Sequence, residues 1–251
     1  MPRANRFFLP GQIWHITHRC HRKSFLLRFA RDRRGYLSWL FEAKKRFGLC
    51  VLNYVVTSNH VHLLLKDTGE GVIPRSMQLV AGRTAQEFNQ RKGRQGAFWE
   101  DRYHATAVEH NEHLHRCVAY IDLNMVRAGA VGHPAEWAYG GYREIQNPRA
   151  RYRLIDLGDL SVACGFTRVS DFQDAHRKWI AGALALGTLE RDERWSETIA
   201  VGSEAFVAHV KNVLGAAASA RAVVTMDGLT VLREDGAAYN RIFKAENEAL
   251  S

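Results

Sequence analysis

The stretch LCVLNYVVTSNHVHLLLK, residues 49–66, contains two runs rich in apolar and β-branched side chains. The runs cover residues 49–56 and 60–66, and each has the length of an ordinary strand. Between them lie Thr, Ser and Asn at 57–59, which are residue types that favour turns. The stretch therefore predicts a β-hairpin.

The segments on both sides of the hairpin complete an α+β pattern. An alternating strand pattern and a helical pattern that stops at Gly48 precede the hairpin, and a second helical pattern follows it. The predicted boundaries are 11–19 and 31–47 before the hairpin, and 74–89, 97–99, 103–108 and 112–128 after it. The order β-α-β-β-α-β, followed by a further helix, is that of a ferredoxin-like antiparallel sheet with helices on one face.

Two changes of composition divide the chain. Residues 1–130 contain the predicted sheet with its helices, whereas residues 131–150 are rich in Gly, Pro and aromatic residues, as a wrapping tail or linker would be. Residues 151–251 show helical spacing at 171–186 and 203–214, which predicts a mostly helical accessory region. That region contains no motif that assigns it a role.

The composition is typical of a folded globular protein, because hydrophobic residues make up 46% of the chain and charged residues 24%. No apolar run approaches the roughly 18 residues that cross a bilayer, and the beginning, MPRANRFFLPGQIW, lacks the apolar core of a secretory signal. The four cysteines are widely spaced, as is usual for reduced thiols. We therefore expect a cytoplasmic protein with no membrane partner.

Positive charge is concentrated near the beginning of the chain. The net charge is +9, yet residues 1–50 alone hold twelve Lys and Arg against two acidic residues. Neutralised phosphates supply much of the affinity of nucleic-acid-binding proteins, so this segment predicts a DNA or RNA partner. The candidate DNA-binding residues are Arg19, Arg22, Lys23 and Arg28 in one group, Arg83, Arg91, Lys92 and Arg94 in a second group, and Arg102. Taken singly, each of these side chains also fits an ordinary solvated surface.

Two histidines and a tyrosine form the candidate chemical site. His60 and His62 are residues i and i+2 of a strand, so both imidazoles point to one side and offer a half-site for a divalent metal. In the last predicted helix, Tyr120 and Asn124 are one turn apart, so a phenol and an amide oxygen can approach the same point. A phenol is a poor nucleophile unless a cation or base assists it. Alternatively, Tyr120 is a core aromatic with its hydroxyl at the rim.

The chain contains four blocks, GQIWHITHR, YVVTSNHVHLLLK, GAFWEDRYHA and YIDLNMVRAG, within about residues 8–145. In this order and spacing they resemble the HUH (His-hydrophobic-His) single-strand DNA transposases with an IS200-like domain, in particular the REP-associated tyrosine transposases. The resemblance implies that His60 and His62 bind the metal. It also implies that Tyr120 is the nucleophile and that Asn124 supplies a third metal ligand. One departure is Met125, where family members usually carry proline.

The resemblance also implies an activity, with residues 1–130 as the catalytic domain. An enzyme of this kind is a single-stranded DNA endonuclease and strand transferase that acts on hairpin or palindromic DNA through a 5′-phosphotyrosine intermediate. The implied cofactor is a divalent metal, Mg²⁺ or Mn²⁺, and the implied partner is single-stranded or hairpin DNA. Both monomers and homodimers fit this group. Arg127 would contact a phosphate, although the helix dipole also favours an arginine near a helix C-terminus.

Two other functions remain open. The first is a catalytically silent protein that binds hairpin DNA or RNA without cutting it. The second is a phosphoesterase with paired His-x-Thr motifs, which is suggested by His15-Ile16-Thr17. That chemistry needs two such motifs acting together, and we expect this one to have no partner. The resemblance gives the block a mainly structural role, so His15 stays outside the predicted catalytic set.

Overall fold

The computed structural model describes residues 8–187, 192–219, 221–226 and 229–234. Residues 1–7 of the predicted catalytic domain and residues 235–251 of the predicted accessory region lie outside the described residues. The strands are β1 (Ile13–Arg19), β2 (Cys50–Val56), β3 (His60–Lys66), β4 (His104–Val108), β5 (Ala200–Gly202), β6 (Arg221–Met226) and β7 (Leu229–Glu234). The helices are α1 (Ala30–Phe47), α2 (Val72–Lys92), α3 (Glu112–Asp122), α4 (Asn124–Arg127), α5 (Tyr142–Gln146), α6 (Leu157–Ala163), α7 (Val169–Leu186), α8 (Arg194–Glu197) and α9 (Glu204–Leu214).

Strand β1 lies at the centre of the predicted ferredoxin-like unit. It pairs with β3 on one side, where Ile13 is opposite Lys66 and Arg19 is opposite His60, and with β4 on the other side. Strand β2 pairs with β3, and all of these pairings are antiparallel, which gives the order β2-β3-β1-β4. The predicted α+β fold with a ferredoxin-like antiparallel sheet is confirmed.

The two faces of this sheet carry different helices. Side chains alternate along β1, so His15 points to one face and His18 to the other. On the His18 face, the ring of Trp99 stacks on His18 with 4.0 Å between centroids. Trp99 also contacts Tyr36 of α1 and donates its indole N–H to a carbonyl of α2. Helices α1 and α2 thus share one face, as predicted, and α3 covers the other, where Tyr120 lies beside His15.

Helix α1 presents an apolar stripe to the core. Tyr36, Leu40 and Ala43 recur at helical spacing and are all buried. The helix ends at Gly48, as predicted, because its φ of 71° is a left-handed conformation that glycine adopts without strain. Across the described part of the chain, every helix is too short or too polar to span a lipid bilayer.

The helix predicted over residues 112–128 is divided into α3 and α4 at Leu123, which has φ −76° and ψ 0°. The amide of Leu123 still donates to the carbonyl of Ala119 at 2.9 Å, so the helical path continues across the division. Tyr120 and Asn124 therefore stay about one turn apart, as the sequence pattern predicts.

Three strands of the C-terminal region extend the same sheet, which the sequence pattern does not predict. Strand β5 pairs parallel to β4, with Ala200 opposite Ala107, and the full order is β2-β3-β1-β4-β5-β7-β6. The region is otherwise helical, as expected, with α7 and α9 at the two predicted helices. Strand β5 has only three residues, and apolar runs this short fit a helix or a strand equally well. The sheet therefore continues beyond residue 130, the residue at which the sequence pattern predicts that the catalytic domain ends.

Residues 131–150, the predicted tail, run beside β2 at one edge of the sheet. The amide of Val56 donates to the carbonyl of Tyr139 at 2.9 Å, and the amide of Gly141 donates to the carbonyl of Tyr54 at 2.8 Å. An unpaired strand edge leaves backbone groups without partners, and this segment supplies partners to β2.

A buried polar pair joins α7 to α3. Nε2 of His176 lies 2.7 Å from Oδ2 of Asp122, and both side chains are fully buried. The other carboxylate oxygen accepts from Asn53 Nδ2 at 3.1 Å, and Gln146 Nε2 donates to the other imidazole nitrogen at 2.8 Å. This network attaches the helix that carries Tyr120 to the C-terminal region.

Replacing Asp122 with Ala should lower the free energy of unfolding by about 2 kcal/mol, because buried donors of His176 and Asn53 lose their acceptor. Urea unfolding followed by circular dichroism measures the change. Arg116→Ala, on the same helix, is the matched control, since its ion pair with Glu112 is exposed and should contribute less than about 1 kcal/mol. Equal losses in the two variants would contradict the role of the buried pair.

Candidate functional site

His60 and His62 lie on β3, and the structure brings their rings together as predicted. The ring centroids are 4.9 Å apart and the planes are nearly perpendicular, at 86°. His60 is half-buried at the beginning of the strand, whereas His62 is buried with 3% of its surface exposed. Two imidazoles from one rigid strand thus lie close enough together to serve as two ligands of one divalent metal.

The turn before β3 orients His60. Its Nδ1 lies 2.7 Å from Oδ1 of Asn59 and 3.0 Å from Oγ1 of Thr57. The Thr57 hydroxyl also donates to the His60 carbonyl at 2.8 Å. Metal-binding histidines are usually held in this way through one nitrogen, so Nε2 is the nitrogen that His60 would use as a ligand.

A chain of hydrogen bonds orients His62. Its Nδ1 lies 2.9 Å from Nε2 of His15 and 3.3 Å from the Thr17 hydroxyl. Nδ1 of His15 in turn lies 2.7 Å from the backbone carbonyl of Trp195, which is a residue of α8. His62 is therefore connected through one buried side chain to the C-terminal region.

Burial keeps both of these rings neutral. Desolvation lowers the pKa of His15 to about 3, and the hydrogen bond to the Trp195 carbonyl opposes this only in part. Burial also lowers the pKa of His62 well below its usual value, and the neighbouring His60 lowers it further. A neutral imidazole is the form that binds a metal.

The carbonyl of Trp195 determines where the protons lie. A carbonyl oxygen only accepts, so His15 donates from Nδ1 and keeps its lone pair on Nε2. His62 then donates from Nδ1 to that lone pair, which leaves the lone pair of His62 on Nε2. This tautomer of His62 is the one that can bind a metal through Nε2.

Tyr120 belongs to the same cluster. Its ring centroid lies 5.9 Å from that of His62, 6.1 Å from that of His15 and 6.2 Å from that of Trp195. Only 8% of Tyr120 is exposed, and its environment contains the guanidinium of Arg127, whose Cζ lies 4.1 Å from the phenol ring centroid. The predicted nucleophile and the predicted metal ligand are thus adjacent.

Arg127 lies inside this cluster rather than on an open surface. Its Nη2 donates to the backbone carbonyl of Tyr120 at 2.7 Å. Burial lowers the pKa of Arg127, and the side chain of Tyr120 acts in the opposite direction. The phosphate contact that we predict for Arg127 stays a prediction, whereas the sequence pattern does not predict its contact with Tyr120.

Asn124 is the first residue of α4 and is half-buried. Its role as the third metal ligand stays a prediction. Within the ranges that the structure describes, no group of three or more His, Cys, Asp or Glu side chains is arranged to hold a metal ion, and the third ligand that we predict is an amide. Met125, the departure from the family pattern, is buried.

A second His-x-Thr motif, His104-Ala105-Thr106, corrects our expectation that His15-Ile16-Thr17 has no partner. It lies on β4, where His15 is opposite Thr106 and Thr17 is opposite His104. The Thr106 hydroxyl and His104 Nε2 both donate to the carbonyl of Thr198, at 2.6 and 2.7 Å. A phosphoesterase would direct the side chains of His104 and Thr106 at a phosphate. Here both donate to the backbone of the C-terminal region instead, which argues against that function.

The basic residues of the first predicted group follow β1 towards the histidines. Arg19 ends β1, with its guanidinium 4.0 Å from Glu100, and Arg22, Lys23 and Arg28 are exposed. Asn59, which orients His60, donates from Nδ2 to the carbonyl of Lys23 at 3.1 Å. This group is therefore continuous with the turn that orients His60.

The second predicted group meets the first at Phe29. Nζ of Lys92 lies 5.4 Å from the Phe29 ring centroid, and Cζ of Arg28 lies 5.9 Å from it. The other members have separate surroundings: Arg83 stacks on Trp39, Arg91 pairs with Asp32, Arg94 donates to Asn89 and Ala97, and Arg102 is exposed. The two predicted groups of basic residues are therefore joined at one aromatic side chain.

Two exposed aromatic residues were missed at the sequence level. Phe25 is 66% exposed and Phe29 is 55% exposed, and both belong to the segment 22–29, which also carries three cationic side chains. Exposed aromatic rings among cations are a means of stacking unpaired bases. The interleaving of aromatic and basic residues was the available signal, but aromatic residues in a sequence are usually assigned to the core.

Two solved structures resemble the fold. One is described as a REP-associated tyrosine transposase bound to a REP hairpin, with 20% identity, a TM-score of 0.47, and coverage of 64% of this chain and 93% of that one. The other is a putative transposase from Deinococcus radiodurans, with 17% identity, a TM-score of 0.34, and coverage of 51% of this chain and 97% of that one. No curated protein matches the chain.

A family model matches part of the first half of the chain. The model described as "Transposase IS200 like" matches residues 11–124, from the residues before β1 to the first residue of α4. The matched segment includes His60, His62 and Tyr120, whereas Arg127 and Trp195 of the same cluster lie outside it. Residues 11–124 of this chain are therefore similar to the IS200-like transposase family.

Proposed function

We propose that the protein is a metal-dependent endonuclease and strand transferase for single-stranded DNA, with Tyr120 as the nucleophile. The observation that carries the proposal is the buried cluster in which the Tyr120 ring lies 5.9 Å from the ring of His62. A phenol that attacks a phosphodiester needs a nearby cation or base. The neutral imidazole of His62 beside Tyr120 can hold such a cation as a metal ligand, a role that a tyrosine packed only in the core would not require. The substrate that the resemblance suggests is hairpin or palindromic DNA with a flanking single strand.

His60, His62 and Asn124 would hold the divalent metal, Mg²⁺ or Mn²⁺. The residues fit this role, because Nδ1 of each histidine is already engaged in a hydrogen bond. When bound, the metal would supply Lewis-acid polarisation of the phosphate oxygens.

Tyr120 supplies the covalent chemistry. Its hydroxyl oxygen attacks the phosphorus and releases its proton to solvent, and the bond from phosphorus to the 3′ oxygen breaks. The 3′ oxygen takes up a proton from solvent, while the 5′ phosphate stays on Tyr120. The guanidinium of Arg127, with Cζ 4.1 Å from the ring centroid, stabilises the negative charge that develops on the phenol oxygen. A 3′ hydroxyl can later reverse the attack and join a strand without a nucleotide cofactor.

The surface between Arg22 and Phe29, together with Lys92, would hold the DNA. Its cations neutralise phosphates, and Phe25 and Phe29 offer stacking surfaces for unpaired bases. The hydrogen bond from Asn59 to Lys23 connects this surface to His60, so a strand bound there would lead towards the site.

A hairpin oligonucleotide with a flanking single strand tests the proposal. The label belongs at the 3′ end, since the 3′ fragment carries the phosphate that joins Tyr120. With Mg²⁺ or Mn²⁺ we expect a labelled adduct that survives denaturing electrophoresis, and none with excess chelator. A protein that binds the oligonucleotide but gives no adduct with either metal would be the catalytically silent binding protein instead.

Replacing Phe29 with Ala should weaken binding of this oligonucleotide by about 1–3 kcal/mol, because a stacking surface between two cations is lost. Fluorescence anisotropy at fixed salt measures the change. Tyr152→Ala is the matched control, since Tyr152 is 72% exposed but lies outside this surface. Unchanged binding by Phe29→Ala would remove Phe29 from the DNA surface.

A further inference from the structure

We propose that the turn of α8, outside the segment that matches the family, is part of the active centre of this chain. In this proposal the backbone carbonyl of Trp195 fixes His15, and His15 is a positioning residue that holds His62 with Nε2 directed at the metal. The proposal rests on the proposed function, because it concerns the same metal ligand. It gives a role to a part of the C-terminal region in which the sequence shows no motif.

The geometry of the two rings supports a directed hydrogen bond. The planes of His15 and His62 are 10° apart, their centroids are 5.0 Å apart, and the two nitrogens are 2.9 Å apart. Rings in this arrangement meet edge to edge, so the N–H of one can point along the lone pair of the other. His15 is fully buried, so water does not compete for the bond.

The carbonyl of Trp195 is held in place by the sheet. Trp195 is buried, and the segment that follows it is fixed by Thr106 and His104, which both donate to the carbonyl of Thr198. The amide of Ile199 then donates to Leu232 of β7 at 2.7 Å. Because only two residues separate α8 from β5, the pairing of β5 with β4 sets the position of the Trp195 carbonyl.

Trp195 also contacts the nucleophile. Its ring lies 6.2 Å from the ring of Tyr120, at an angle of 36°. Trp195 thus contacts His15 through its backbone carbonyl and Tyr120 through its side chain. Loss of the His15 side chain would leave His62 with the Thr17 hydroxyl, 3.3 Å away, as the acceptor for Nδ1.

Removing His15, which accepts the Nδ1 proton of His62, should weaken metal binding. Residues that orient a metal ligand typically contribute about 10- to 100-fold to metal affinity. We expect His15→Phe, which keeps an aromatic ring, to weaken Mn²⁺ binding within this range. His15→Gln places an amide oxygen near the position of Nε2 and should restore most of the affinity. Thr17→Val removes only the longer contact and should have a smaller effect than His15→Phe.

The experiment has two measurements on the full chain without DNA. Mn²⁺ titration followed by electron paramagnetic resonance gives the affinity of the wild type and the three variants. Long-range ¹H–¹⁵N spectra of the metal-free protein give the tautomers, and we expect His15 and His62 both to be protonated on Nδ1. In His15→Phe, the His62 signal should become that of mixed tautomers, a change that a purely structural role would not produce.

The outcomes separate this proposal from the proposed function. Wild-type Mn²⁺ affinity in His15→Phe, or equal weakening in His15→Phe and His15→Gln, would overturn it. A wild-type spectrum with either histidine protonated on Nε2 would also overturn it, and this result does not depend on metal binding. Absence of a DNA adduct would instead count against the proposed function, since neither measurement here uses DNA.

Discussion

Replacement of Tyr120 by Phe should abolish the covalent DNA adduct and reduce strand cleavage by at least about a thousandfold, equivalent to about 4 kcal/mol in the barrier. The substitution removes only the hydroxyl oxygen, which is the atom that would bond to phosphorus. The ring and its contacts with His62 and Arg127 remain, so the cluster should keep its shape. The 3′-labelled oligonucleotide and denaturing electrophoresis measure both quantities.

Binding of the oligonucleotide provides the control for Tyr120→Phe. We expect its dissociation constant to stay close to that of the wild type, because the basic surface does not include Tyr120. Tyr152→Phe is the matched substitution at an exposed tyrosine and should leave cleavage unchanged. An adduct that persists in Tyr120→Phe would mean that another residue is the nucleophile, while the endonuclease activity itself would stand.

Replacement of His60 by Ala should lower both Mn²⁺ affinity and cleavage by at least about a hundredfold, since loss of a ligand should cost at least as much as loss of a residue that orients one. His60 is the better choice for this test because it is half-buried at the beginning of β3, whereas His62 is buried. The affinity is measured by electron paramagnetic resonance, and cleavage is measured over a range of metal concentrations.

His209→Ala is the matched control for His60→Ala. His209 is exposed on α9, and its removal should change neither quantity. Oligonucleotide binding by His60→Ala should be retained, which separates loss of the metal from loss of the fold. If His60→Ala cleaves at the wild-type rate with either metal, the role that we give this histidine in metal binding is wrong.

Local patterns were sufficient to predict the first part of the fold. The two β-rich runs and the turn residues of 49–66 predict the hairpin, and the period of two along a strand places His60 and His62 on one side of β3. Helical spacing and Gly48 predict α1 and its end. These features depend on residues close together in the chain, so the sequence carries them without reference to the rest of the molecule.

The basic surface is an intermediate case. The positive charge of residues 1–50 is evident from composition, and it predicts a nucleic-acid partner. The meeting of Arg28 and Lys92 at Phe29 is not evident, because helix α2 has to fold back beside α1 before the two groups approach each other. Composition alone shows the excess of positive charge, whereas the packing of α1 against α2 determines which basic side chains share one surface.

The sequence by itself determined the chemical groups of this protein: two histidines on one strand face, a tyrosine and an asparagine one helical turn apart, and a basic segment. Only the tertiary structure decided how the groups are held. His15 is 47 residues from His62 and 180 residues from Trp195, and β5, which positions Trp195, is too short to be predicted. Hydrogen bonds over such separations form only after the sheet has assembled, because pairing with β4 is what gives the C-terminal carbonyl its place.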